Sequence, residues 1–131
     1  MKLPASILAT LALCAAGTAL AAGSREEANE ARLAELLEGA EAGEPVTCVP
    51  AFRTDRMRII DNVALVYDAG DTLYVARPRN PEGLSRDDVV VINRFGGQLC
   101  TTDIIRTVDR SAGFMTGVVM LENFVPYKKV K

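Results

Sequence analysis

Carboxylates are the strongest candidates for chemistry in this 131-residue chain, because the sequence contains no histidine. A serine activated by a lysine is formally open, but Lys128, Lys129 and Lys131 lie in the C-terminal tail. Serine and cysteine nucleophiles need a neighbouring base, and imidazole is the usual one. Imidazole is also the commonest ligand in protein metal sites, so zinc and copper sites are disfavoured. The sequence therefore predicts no catalytic residue, no metal site and no cofactor.

Asp61 and Asp103 are the carboxylates of greatest interest, because each adjoins a segment that we expect to be buried. A buried carboxylate with a raised pKa can act as an acid or a base. More often such a group caps a turn or pairs with an arginine, and the available arginines are Arg53, Arg56, Arg58 and Arg106. We interpret Asp61 and Asp103 as a structural buried polar pair; a carboxylate-based enzyme of the cell envelope is the alternative.

A third set of polar residues lies in the irregular stretch 77–88, which begins Arg77-Pro78-Arg79-Asn80-Pro81. Its two prolines restrict the backbone, and its arginines offer bidentate contacts to carboxylate or phosphate. The segment is typical of a rigid connection between strands. If it binds a partner or a small ligand, Arg77, Arg79 and Asn80 are the candidate contact residues.

Short apolar runs rich in β-branched residues, separated by turn residues, make up most of the chain after residue 56. They predict a mainly β fold, a small antiparallel barrel or sandwich of about six strands, with a short N-terminal helix. The expected strands are residues 57–60, 63–67, 73–76, 89–93, 99–108 and 117–125. Runs 63–67 and 73–76 are apolar at nearly every position, so both of their faces should be covered, which a closed barrel plus the helix would achieve.

The N-terminal helix is predicted from a capping box at Ser24 and Glu27, followed by leucines at helical spacing from Leu33. Gly39 is the expected C-terminal stop. The helix would either pack on the domain or form a mobile arm, and loose packing is favoured. Residues 23–45 are therefore assigned to the helix and a linker, and residues 46–131 to the β-rich domain.

Residues 1–22 have the composition of a secretory signal peptide. Lys2 supplies the positive start, residues 3–16 are apolar, and small residues at Ala19 and Ala21 predict cleavage after Ala21 or Ala22. A rival interpretation is a lipoprotein, because Leu11-Ala12-Leu13-Cys14 has a weak likeness to a lipobox that would lipidate Cys14. Only in that case is membrane attachment expected.

After cleavage the chain retains Cys48 and Cys100, and an even pair in an oxidising compartment usually forms a disulfide. Two buried free thiols are the alternative. The formal net charge is −2, and charges of both signs are scattered along the chain. No positive field favours nucleic acid, so nucleic acid is not an expected partner.

Several motifs follow one another between residues 46 and 127. They are Cys48, Arg56-Met57-Arg58-Ile59-Ile60-Asp61-Asn62, Leu73-Tyr74-Val75, Gln98-Leu99-Cys100-Thr101-Thr102-Asp103 and Leu121-Glu122-Asn123-Phe124-Val125-Pro126-Tyr127. Taken together, these motifs resemble a family of small secreted proteobacterial proteins known only as a domain of unknown function.

Many members of that family carry two further cysteines, whose places here are held by the stretches 80–84 and 119–122. Their joint absence implies that those two pair with each other, which leaves Cys48 and Cys100 as the other bridge. The resemblance implies no reaction, cofactor or catalytic residue.

The expected function is that of an exported, non-catalytic small domain of the bacterial cell envelope, periplasmic or secreted. It would bind a small ligand or a protein, such as another envelope protein, through the loop 77–88. The alternatives are the carboxylate-based enzyme and a structural or stress-protective protein with no specific ligand. A large exposed apolar surface would count against the last of these.

Overall fold

A computed structural model describes residues 19–50, 56–94 and 96–130, and the fold in this part of the chain is mainly β. Ten strands form antiparallel sheets beside one α-helix and a short 3-10 helix, Pro81–Gly83. The elements are α1 (Ala19–Leu36), β1 (Ala40–Ala42), β2 (Cys48–Pro50), β3 (Met57–Ile60), β4 (Ala64–Asp68), β5 (Thr72–Ala76), β6 (Asp88–Asn93), β7 (Gln98–Cys100), β8 (Ile104–Asp109), β9 (Met115–Val119) and β10 (Val125–Lys129).

The predicted number of strands was too low, for three local reasons. The run 99–108 is interrupted at Asp103, whose carboxylate accepts a hydrogen bond of 2.7 Å from the Cys100 amide and closes a turn between β7 and β8. The run 117–125 is interrupted between β9 and β10, where Leu121 and Phe124 form only isolated bridges. The short strands β1 and β2 lie in and just after the segment predicted to be a linker.

The strands form three sheets that do not close into a barrel, so the sandwich alternative describes the fold. A five-stranded sheet has the order β1-β10-β5-β4-β3, a three-stranded sheet has the order β6-β8-β9, and β2 pairs with β7. All pairs of neighbouring strands are antiparallel.

Both faces of the five-stranded sheet are covered at β4 and β5, as the sequence predicted for runs 63–67 and 73–76. Leu65 and Tyr67 of β4 pack in a core with side chains of the two smaller sheets. Ala64 and Val66 of the same strand pack in a second core with Leu33 of α1. Because successive side chains of a strand point to opposite faces, a strand covered on both sides is apolar throughout. The two smaller sheets supply the second covering layer that we had expected from barrel closure.

Helix α1 packs on the domain through the part that follows the predicted cleavage site. Leu33 is only 3% exposed, and the Asn29 side-chain amide donates a 3.1 Å hydrogen bond to the Asp61 carbonyl. The described helix begins at Ala19, so Ser24 lies inside it and the predicted capping box does not mark its start. Residues 1–18, which hold most of the predicted signal peptide and Cys14, lie outside the described part of the chain.

The predicted disulfide is confirmed. Cys48 and Cys100 face each other in the register of β2 and β7, and a bond joins their sulfur atoms across 52 residues of sequence. The next pair in the register, Val49 and Leu99, is completely buried in the core shared by all three sheets. The bond therefore joins the two strands of the smallest sheet, which Val49 and Leu99 anchor in the core. It is compatible with an oxidising extracellular or periplasmic environment.

Candidate functional site

The residues of the loop 77–88 do not share one binding surface. Arg77 turns toward α1, where its guanidinium makes a bidentate ion pair with Glu30, with nitrogen–oxygen distances of 2.6 and 3.0 Å. The hydrogen bonds from Arg77 lower the pKa of the Glu30 carboxyl, and those to Glu30 raise the pKa of Arg77. Both side chains are nearly half exposed. Arg77 therefore fastens the helix to the start of the loop.

Replacing Glu30 with glutamine should lower the free energy of unfolding by about 0.5 kcal/mol at neutral pH, the usual worth of an exposed ion pair. Because the pKa of Glu30 is depressed in the folded protein, the contribution is fully present above the pKa of an unfolded glutamate. It is lost as the pH falls through the lower folded pKa. Urea unfolding of both proteins across acid pH measures this.

The matched control for that series is Glu27→Gln, which removes an exposed glutamate from the same helix. It should change stability by less than the first variant at neutral pH, because Glu27 has no bonding partner in the described structure. If the stability difference between the wild-type protein and Glu30→Gln stayed constant as the pH was lowered, the ion pair between Glu30 and Arg77 would not be its cause.

Arg79 and Asn80 fix the loop to the end of β9. The Asn80 side-chain amide donates to the Val118 carbonyl at 3.1 Å, and its oxygen accepts from the Met120 amide at 3.3 Å. The Arg79 amide donates to the Met120 carbonyl at 2.8 Å, while the Arg79 side chain is exposed. The loop is therefore a rigid border of the three-stranded sheet rather than a free recognition loop.

Asp61 and Asp103 occupy separate turns and make no contact with each other in the described residues. The Asp61 carboxylate accepts from the Arg86 amide at 2.6 Å, and the Arg86 Nε lies 3.3 Å from its other oxygen. Asp103 caps the turn that follows β7 through the Cys100 amide. Both carboxylates are partly buried and bonded to nearby groups, in roles of the kind that the structural interpretation described. They do not form a pair with each other among the described residues, and the arginine beside Asp61 is Arg86 rather than one of the four considered.

The surface that sequence reasoning did not identify is the exposed side of the three-stranded sheet. Seven large apolar side chains are grouped on this sheet and at the ends of β9, each between 40% and 61% exposed. They are Val89, Val91, Ile104, Phe114, Met115, Val118 and Met120. We call these seven residues together with Arg106 the outer face.

The strand register arranges the outer face in rows that cross the sheet. Val91 of β6, Arg106 of β8 and Val118 of β9 stand side by side in the central row. Val89, Val108 and Met115 form the next row. Because the side-chain period of a strand is two, Ile104 lies on the same side as Arg106. A single cation thus stands among apolar neighbours.

Arg106 has no hydrogen-bonding or ionic partner for its side chain among the residues of the described ranges. A guanidinium presents five donors in a planar fork that matches a carboxylate, and its attraction to an anion strengthens when water is excluded. Monomers rarely expose contiguous apolar patches larger than a few hundred Å² without a use. The outer face therefore combines exposed apolar side chains with one guanidinium that has no partner among the described residues.

Two other classes of site find no support in the described residues. Within the described ranges, no three acidic or cysteine side chains come together in a group that could hold a metal ion. No helix in the described ranges is long and apolar enough to cross a membrane.

No protein-family model, curated protein or solved structure matches this chain. Function must therefore be inferred from the surface chemistry of the fold, and the outer face is the strongest feature of that surface.

Proposed function

We propose that this protein is an exported, non-catalytic domain of the bacterial cell envelope that binds a partner protein through the outer face and the adjoining loop 77–88. The single observation that carries the proposal is the concentration of exposed large apolar side chains on one small sheet. Burying apolar surface stabilises a complex by roughly 25 cal/mol per Å², so this face has a strong driving force for association.

The partner is expected to present non-polar side chains around one carboxylate. Arg106 would then gain a desolvated, bidentate contact at the centre of the interface, where binding energy is usually concentrated. A second copy of this chain fits less well. In a two-fold, face-to-face dimer centred on Arg106 the two guanidinium groups would meet, and like charges in an interface are costly.

The loop 77–88 contributes a firm border to the proposed interface. Asn80 bonds to the backbone on both sides of Val119, so the loop and the edge of the outer face move as one unit. The exposed guanidinium of Arg79 stands at this border. A preformed border loses little conformational entropy on binding.

Export is part of the proposal and has its own test, the intact mass of the protein from the periplasm of cells that express the full chain. A mass that begins at Ala22 or Gly23, and that takes up two alkyl groups only after reduction, supports an exported, disulfide-bonded protein. A mass that begins at Cys14 with added lipid would indicate a membrane-tethered lipoprotein. Uncleaved chain confined to the cytoplasm would refute export.

Binding is tested by placing a photo-crosslinking amino acid at position 118 and irradiating native cells. We expect one dominant heterologous adduct, and Arg106→Glu should reduce its yield by about tenfold or more, as loss of a central charge contact does. The same probe at position 130 is the control, because Val130 is more exposed than Val118 but lies outside the outer face.

Three results would count against the proposal: no adduct at position 118, identical adducts from positions 118 and 130, or an adduct insensitive to Arg106→Glu. An adduct of twice the chain's own mass would replace the heterologous partner with a second copy. Circular dichroism of each variant establishes that the exposed substitutions leave the fold intact.

A further inference from the structure

In the described part of the chain, the sandwich is open along the side where β3 and β6 end their sheets. β3 is the last strand of the five-stranded sheet, and β6 is the last strand of the three-stranded sheet. Each therefore has a single neighbouring strand among the described residues. An edge strand presents unpaired amide and carbonyl groups that can pair with another chain.

A groove of about 340 Å³ lies between these two edges. Its apolar lining comes from Met57 and Ile59 of β3 and Val90 of β6, which pack against the main core but are only partly buried. Leu65 and Ile105, on the strands next inward, are almost completely buried in the same core. The core is therefore incomplete along this side, and an additional apolar side chain in the groove would cover it.

The lining also shows which edge can accept a strand. β6 contributes three consecutive residues, Asp88, Val89 and Val90, whereas β3 contributes the alternate residues Met57 and Ile59. Because successive side chains point to opposite faces, consecutive residues line a groove when the strand borders it along its edge. The edge of β6 thus faces the groove, and β3 supplies the apolar wall opposite.

The charge available in the groove is positive. Arg110 lines it and makes no side-chain hydrogen bond or ion pair with any residue in the described ranges. Arg86 also lines it, with its Nε on Asp61 and most of its side chain exposed. The one carboxylate in the lining, Asp88, accepts a 2.9 Å hydrogen bond from the Thr116 hydroxyl on the core side of the sheet. An anionic group bound in the groove would therefore find the unpaired guanidinium of Arg110, whereas the carboxylate of Asp88 is already hydrogen-bonded.

We propose that this groove binds an extended, acidic peptide segment of a partner protein, which pairs with the edge of β6. Alternate side chains of the segment are apolar and fill the space between Ile59 and Val90, and a carboxylate of the segment pairs with Arg110. Strand addition of this kind takes affinity from main-chain hydrogen bonds and specificity from the pockets for alternate side chains.

This site differs from the outer face, although Val89 of β6 lies at the border of both. Val89 and Val91 point to the outer face, whereas Val90 points into the sandwich. The proposal of strand addition would therefore still stand if the proposed outer-face interface were disproved. Variants of Arg106 test one surface, and variants of Arg110 test the other.

The test is to pan a random heptapeptide library, displayed on phage, against the folded full chain, with Arg110→Glu as the counter-selection target. We expect enrichment of segments in which apolar residues alternate and at least one residue is aspartate or glutamate. The best peptide, carrying a fluorescent label, should bind Arg110→Glu about tenfold or more weakly than the wild-type protein. Arg32→Glu, a change to an exposed arginine on α1 outside the groove, should leave its affinity within about twofold.

Amide hydrogen exchange locates the bound peptide. Protection should rise in β6 and stay unchanged in β9, the other edge of the same sheet. The proposal is overturned by the absence of enrichment, by a consensus without acidic residues, by equal weakening in Arg32→Glu and Arg110→Glu, or by protection confined to β9. Arg106→Glu should not affect this peptide, and if it does, the peptide reports on the outer face instead.

Discussion

Reduction of the Cys48–Cys100 disulfide should lower the free energy of unfolding by about 4 kcal/mol. The bond closes a loop of 52 residues, and the chain-entropy model assigns about this value to a loop of that length. The sheet that carries the bond has only three residues in each strand, so it has few other contacts to keep it in place. Because the free energy of unfolding of a native protein is only about 5–15 kcal/mol, the disulfide would supply a large share of the total stability.

Urea unfolding with and without reductant measures the effect, and the double variant Cys48→Ser with Cys100→Ser should match the reduced wild-type protein. Reductant should then have no effect on the double variant, which serves as the control for unspecific action of the reagent. Equal unfolding midpoints for the oxidised and reduced wild-type protein would show that the bond contributes little to the folded state.

Much of the framework could be predicted from the sequence because it depends on local patterns. β3 coincides with the apolar run 57–60, and the continuous apolar composition of β4 and β5 correctly indicated a sheet covered on both faces. The Cys48–Cys100 bond followed from the two cysteines that remain after the predicted signal-peptide cleavage. These inferences need composition and spacing only.

The covering layers could not be predicted, because they depend on pairings between distant segments. β1 pairs with β10 at the far end of the chain, and β2 pairs with β7. β1 and β2 have three residues each, too few to show a period of two in the sequence. The ion pair between Glu30 and Arg77 likewise joins residues 47 positions apart.

The outer face was missed for a specific physical reason, an irregularity in β9. The register between β8 and β9 shifts between Thr107 and Val108, so that Gly117 faces Thr107 and Met115 faces Val108. Thr116 is the extra residue, and its hydroxyl bonds to Asp88 and Thr107 on the core side. Strict alternation would put Met115 and Val118 on opposite sides, whereas the bulge brings them to the same side.

The final prediction uses two phenylalanines that the sequence alone cannot tell apart. Phe124→Ala should lower the free energy of unfolding by about 3–5 kcal/mol, the usual cost of truncating a buried aromatic side chain. Phe124 is 0% exposed in the core that joins all three sheets. Its amide and carbonyl exchange 2.8 Å hydrogen bonds with Val46, which alanine can also make, so the loss isolates the packing of the ring.

Phe114→Ala is the matched control, because Phe114 is 59% exposed at the end of β9 and belongs to the outer face. Its truncation should change stability by no more than about 0.5 kcal/mol, as surface substitutions do. Urea unfolding of both oxidised variants decides the matter, and similar losses would contradict the division between core and outer face. If the division between core and outer face holds, Phe114 contributes nothing measurable to folding, and the proposed partner protein would account for its exposed apolar ring. Truncating Phe114 should then weaken the adduct formed from position 118 while the domain stays folded.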